Sequence, residues 1–163
     1  MDDEFEKKRC LDEIPQTSQG KNIMTIEPKF VPSSSAKIKI DSFETNVKLI
    51  DCVGYIIESA NGYLEEGKMR MVKTPWFKQA VPFEKAARIG TEKVITDHST
   101  IGIVVTTDGS VTDIPRENYL EAEEKAIQQL KNLGKPFVVV LNSVTPRAQN
   151  VAAMADSISN KFN

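Results

Sequence analysis

NVKLIDCVGYIIESANGY, residues 46–63, starts as an alternating strand, ends it on Asp51, sets Gly54 three residues on and then passes into a polar loop. Either Asp51 marks a strand end, since turns select aspartate and glycine for their own reasons, or its carboxylate sits at a strand terminus to do chemistry. What surrounds the stretch decides which protein class is in question. Upstream, AKIKI (residues 36–40) alternates apolar and charged residues, and NVKLI does much the same after the short DSFET, so the two predict a β-hairpin. Downstream, residues 52–81 carry Gly, charge and Trp76 without a clear period. A connection of that length in a compact domain is usually functional or flexible.

Beyond it the period changes. PFEKAARIGTEKVITDH brings Phe83, Ala86, Ala87, Val94 and Ile95 to one face of a helix. TIGIVVTT is a continuous apolar run, expected as a strand buried on both faces. Tyr119, Leu120, Ala126, Ile127, Leu130 and Leu133 recur at helical spacing until Gly134 and Pro136 stop them. FVVVLNS is a second apolar strand, and AQNVAAMADSISNKF a closing helix. Helices alternating with apolar strands predict a parallel sheet covered on both faces. Before the hairpin, residues 2–14 read as a charged helical piece followed by a polar, proline-containing loop.

Composition excludes several classes. The chain has 163 residues, 40% hydrophobic and 27% charged, enough for one domain with a core. A net charge of −2 supplies no basic field for nucleic acid. No apolar run reaches membrane-spanning length, and the charged opening MDDEFEKKRC lacks the apolar centre of a signal peptide. Cys10 and Cys52 stand far apart, outside any metal-ligand spacing, which suits a reducing compartment.

Three features then bear on Asp51. D-x-x-G at a strand end is how P-loop nucleotide hydrolases hold Mg²⁺ and sense the terminal phosphate, the glycine leaving its N–H free to approach that phosphate. Thr25, in NIMTIEPKF ahead of the hairpin, lies where such hydrolases place a threonine that caps Mg²⁺. Asn142 and Ser143 follow the last apolar strand, where GTPases carry N-K-x-D for the base. The fourth position of that motif is Thr145, not the aspartate that guanine needs, so ATP is favoured. No G-x-x-x-x-G-K-[ST] occurs; SQGKN comes near, but lacks the first glycine and the final hydroxyl residue. The remaining candidates read as structural. His98, the sole histidine, suits a helix C-terminus, and Cys52 reads as a small packed residue. Glu117, Glu121, Glu123 and Glu124 read as the solvated start of a helix, and Trp76 as a packing or partner-anchoring residue.

The blocks KNIMTIEPKFVP, VKLIDCVGY, KTPWF, PFEKAARIGTEKVITDHSTIGIVVTTDGSVTDI and YLEAEEKAIQQLKNLGKPFVVVLNSVTP resemble successive parts of the ATPase domain of the stage IV sporulation protein A family. These are spore-coat morphogenetic ATPases of endospore-forming bacteria, related to translation-factor GTPases. The resemblance implies a three-layer α/β P-loop NTPase fold, its sheet mostly parallel with one antiparallel edge hairpin, with residues 1–163 an internal part of the ATPase domain that lacks the first strand and its P-loop. In that fold the P-loop strand lies between the strand ending at Asp51 and IGIVVTT. The resemblance also implies that Asp51 and Thr25 act on Mg²⁺ and ATP, with Gly54, Asn142 and Ser143 on the nucleotide. The implied activity is ATP hydrolysis that drives self-assembly into the basal layer of the spore coat, in the mother-cell cytoplasm at the forespore surface. Implied partners are further copies of the protein, a small amphipathic membrane-anchoring peptide and other coat proteins. The 163-residue chain alone is expected to be inactive, and the competing expectation is a non-catalytic scaffold on a degenerate nucleotide fold.

Overall fold

The computed structural model describes residues 28–162, apart from residues 58 and 66. The helical piece expected over residues 2–14 and the candidate Thr25 lie outside the described residues. The hairpin is present and longer than its alternating cores. Strand β1 (Lys29–Ile40) pairs antiparallel with β2 (Phe43–Asp51), from Ile40 opposite Phe43 to Lys29 opposite Asp51. A register shift between Val31 and Ala36 lets the ladder continue past Pro32 and the serine run. An irregularity of this kind is how a strand absorbs residues that cannot pair in sequence.

Residues 52–81 hold more structure than their composition announces. Two short antiparallel ladders lie there, β3 (Leu64–Glu65) with β4 (Lys68–Met69), and β5 (Met71–Val72) with β6 (Val81–Pro82). Pairs of two residues leave no period for sequence analysis to detect. Strand β6 runs directly into helix α1 (Phe83–Lys93), with Pro82 at its N-cap in an extended conformation, φ −53° and ψ 138°. The anticipated apolar face is the buried one: Phe83, Ala86, Ala87, Val94 and Ile95 are all buried. Val94–His98 continue α1 as a π-turn, and Lys135 closes it by donating from Nζ to the carbonyls of Ile95, Thr96 and Ser99. A cation at a helix C-terminus satisfies carbonyls that have no partner within the helix.

The parallel unit pairs β7 (Gly102–Thr107) with β8 (Phe137–Asn142), Val104 opposite Val139. Between them a single 3₁₀ turn (Arg116–Tyr119) leads into α2 (Leu120–Asn132), and α3 (Gln149–Phe162) follows β8. Ile95, Val104, Ile127 and Leu130 form the core, with Ala126, Phe137, Val139 and Phe162 packed against it. Gly102 permits this closeness, because a Cβ there would stand 2.7 Å from both Leu130 methyls and 3.2 Å from Phe137 Cβ. Leu120 and Leu133, expected inside, are exposed at the two ends of α2.

The α/β class holds, but one expectation about layers does not. The strands of the described residues form four two-stranded sheets, and the hairpin and the parallel pair share no ladder, as expected of a fold in which a further strand lies between them. Among the described residues, however, β7 and β8 are buried on one face only. Ile103, Val105, Val138 and Val140 lie on the other and are 58%, 67%, 55% and 44% exposed. The reason is geometric: α2 and Phe162 of α3 both pack on the Val104 side, leaving the opposite face uncovered among the described residues. No helix of the described residues is long and apolar enough to cross a membrane.

Candidate functional site

Asp51 ends β2, and its place is set by the register that puts it opposite Lys29. Its side chain is exposed. The chain then leaves the ladder and turns at Gly54, whose φ of +77° is a conformation that side chains with a Cβ rarely adopt. No atom lies within 4 Å of where a Cβ would stand, so the glycine presents open space on that side. The segment is nevertheless tied down. Thr91, buried on α1, donates from Oγ1 to the Gly54 carbonyl at 3.1 Å. Tyr55 donates its hydroxyl proton to Gln129 Oε1 on α2. Burial pushes the Cys52 thiol pKa up, and its contacts with the Gly54 N–H and the Thr91 hydroxyl work against that rise. Burial likewise raises the Tyr55 phenol, helped by the negative charge of Glu92.

A second group gathers where the parallel strands end. Asp108 follows β7, and its N–H donates to the Asn142 carbonyl at 3.2 Å. Its carboxylate accepts from Ser110 Oγ at 2.5 Å and from Ser143 Oγ at 2.6 Å, which holds it below the usual aspartate range. Ser110 Oγ in turn accepts from the Val144 N–H, and Ser143 Oγ from the Thr145 N–H. Asn142 itself is exposed. Behind this group, Arg116 donates to Thr106 Oγ1 at 2.9 Å and pairs with Glu123 at 2.6 Å.

The structure therefore arranges the candidate residues as two groups on separate sheets: Asp51 with Gly54, and Asn142 with Ser143. For Mg²⁺ and a nucleotide phosphate the first group fits on two counts, an exposed carboxylate at a strand end and an open glycine beside it. Among the described residues no three His, Cys, Asp or Glu side chains cluster to hold an ion unaided. A cation at Asp51 would thus need oxygens from the phosphates or from elsewhere in the polypeptide.

Several expectations change. Glu123 is not part of a solvated helix start; it is buried, and the 2.6 Å ion pair with Arg116 compensates that burial. SQGKN, which lies outside the described residues, is not the nearest approach to a phosphate loop either. Gly62 and Gly67-Lys68 have the G-x-x-x-x-G-K spacing, failing only at Met69. The structure places Lys68-Met69 in β4 of the tight β3–β4 turn. A phosphate cradle instead runs from its glycines into a helix N-terminus. His98 ends the π-turn, as its helix-end role requires, with its ring edge-to-face against Phe30. Thr91, Asp108, Arg116 and Lys135 were not singled out from sequence. Only Asp108 carried a signal, D-G-S directly after an apolar strand, which is turn chemistry at a sheet's carboxyl edge.

Residues 1–163 match the model of the family described as stage IV sporulation protein A, ATPase domain. The chain is 56% identical over 163 residues to stage IV sporulation protein A of Clostridioides difficile (strain 630), covering 99% of this chain and 33% of that protein. It is 48% identical to the protein of the same name from Bacillus subtilis (strain 168) and 45% to that from Bacillus anthracis, with the same coverage of 99% and 33%. The chain thus spans about a third of the length of these curated relatives. No solved structure matches it.

Proposed function

The chain belongs to the stage IV sporulation protein A ATPase-domain family, and from that premise we propose that it is part of a sporulation ATPase whose hydrolysis of ATP drives the protein's own assembly into the basal layer of the spore coat. The observation that carries the site assignment is Asp51, exposed at the end of β2 and followed by an open, positive-φ glycine. In this proposal Asp51, with Thr25, holds Mg²⁺, which would neutralise charge on the phosphates. Gly54 offers its N–H to the terminal phosphate, while Asn142 and Ser143 lie on the base side. A P-loop would complete this site from a strand between β2 and β7. The assembled protein would work in the mother-cell cytoplasm at the forespore surface, with copies of itself, a small amphipathic anchoring peptide and other coat proteins as partners.

The test is Asp51→Asn in the full-length protein. That change keeps the size and turn chemistry of the side chain but removes the charge that favours a divalent cation. Hydrolysis and assembly should be largely lost while the melting temperature is kept. Wild-type turnover would favour the alternative, a non-catalytic scaffold on a nucleotide-type fold.

A further inference from the structure

Gly54 is held unequally on its two sides. Its carbonyl accepts a 3.1 Å hydrogen bond from Thr91 Oγ1, and Thr91 is only 4% exposed, so water does not readily replace that hydroxyl. On the other side it faces open space, with nothing within 4 Å of where a Cβ would stand. One residue further, Tyr55 is fastened to Gln129 by its hydroxyl, 74 positions away in sequence. Two helices from different parts of the chain therefore grip one short segment. Their grip fixes the carbonyl side and leaves the side of a Cβ open.

We infer that Thr91 and Tyr55 are positioning residues for phosphate-dependent chemistry at Asp51 and Gly54: they fix the Gly54 carbonyl and the following side chain, so that the Gly54 N–H can meet a phosphate oxygen without the segment reorganising. This inference rests on the assignment of Asp51 and Gly54 to the phosphate site. A donor that need not be reorganised when charge develops stabilises the transition state more than the bound ground state. Its loss should therefore lower kcat more than it raises KM.

The experiment uses the full-length protein carrying Thr91→Val, Thr91→Ser, Tyr55→Phe or Asp51→Asn, with Mg·ATP turnover and thermal unfolding measured on each. Thr91→Val keeps the shape but removes the donor, and is expected to lower kcat about tenfold with KM changed less than about twofold. Thr91→Ser restores the donor and should recover most of that loss. Tyr55→Phe should give a smaller loss of kcat, about threefold. Wild-type kcat in Thr91→Val, with Asp51→Asn inactive, overturns this inference and leaves the site assignment standing. Full turnover in Asp51→Asn overturns both. Should Thr91→Val fail to fold, Tyr55→Phe decides: unchanged kcat in that variant overturns the inference. A loss in Thr91→Ser equal to that in Thr91→Val, tracking melting temperature alone, shows a merely structural role and also overturns it.

Discussion

Ser143 Oγ lies 2.6 Å from Asp108 Oδ2 and donates to it, so the residue after β8 is fastened to the residue after β7 by side chains as well as by the parallel ladder. The carboxylate's acid form cannot accept these hydrogen bonds as well, which is why its pKa lies below the ordinary aspartate value.

A pH dependence follows with a definite sign. A carboxyl group whose folded-state pKa is depressed contributes stability above its unfolded value, and that contribution is lost as pH falls through the window down to the folded value. Thermal unfolding of the wild type should therefore drop more steeply than that of Asp108→Asn as pH falls below about 4. Identical slopes for the two proteins would show that the Ser110 and Ser143 contacts do not hold Asp108 preferentially ionised.

The Arg116–Glu123 pair predicts an asymmetry among substitutions. Both side chains are largely buried and stand 2.6 Å apart. Removing one partner leaves an uncompensated buried charge, which costs about 3–5 kcal/mol, whereas replacing both by apolar residues of similar volume is often close to neutral. Arg116→Met should accordingly destabilise the protein more than Arg116→Met combined with Glu123→Leu, as denaturant titration would show. Additive losses would mean that the two charges are solvated independently.

Gly102 makes a packing prediction. A methyl group there meets Leu130, itself 2% exposed in the core, at 2.7 Å. Overpacking of this kind costs about 1–3 kcal/mol, so Gly102→Ala should lower the denaturation midpoint. Gly134 has nothing within 4 Å of the same position but a φ of +62°, so Gly134→Ala is strained by backbone conformation and not by contact. Pairing each with Leu130→Ala separates the two causes, because the smaller side chain relieves the first and not the second.

What the sequence made legible follows from length and period. Helix α1 was readable because five apolar residues share one face, and the hairpin because two alternating runs flank a short polar turn. The layers were not, because Ile103 and Val105 are as apolar as Val104 and nothing in a strand's own composition says which face a helix will cover. Asp51 and Gly54 stood out because strand-end chemistry is local. Thr91 and Arg116 did not, since what they do depends on Gly54 and Glu123, which the fold alone brings to them.

Base preference provides the last prediction. A base-selective GTPase accepts guanine's paired donors on an aspartate, and a site built for such donors strongly disfavours ligands that lack them. Here Thr145 occupies that position, exposed, with its N–H engaged by Ser143 Oγ at 3.0 Å. The neighbouring carboxylate, Asp108, is already occupied by two serine hydroxyls and does not substitute for it. The full-length protein should therefore use ATP in competition with equimolar GTP without strong preference for GTP. Thr145→Asp restores a paired acceptor while leaving the backbone N–H in place, and should raise the kcat/KM for GTP relative to ATP by about tenfold or more. If GTP already dominates in the wild type, or if Thr145→Asp leaves the ratio unchanged, the base does not lie against the end of β8.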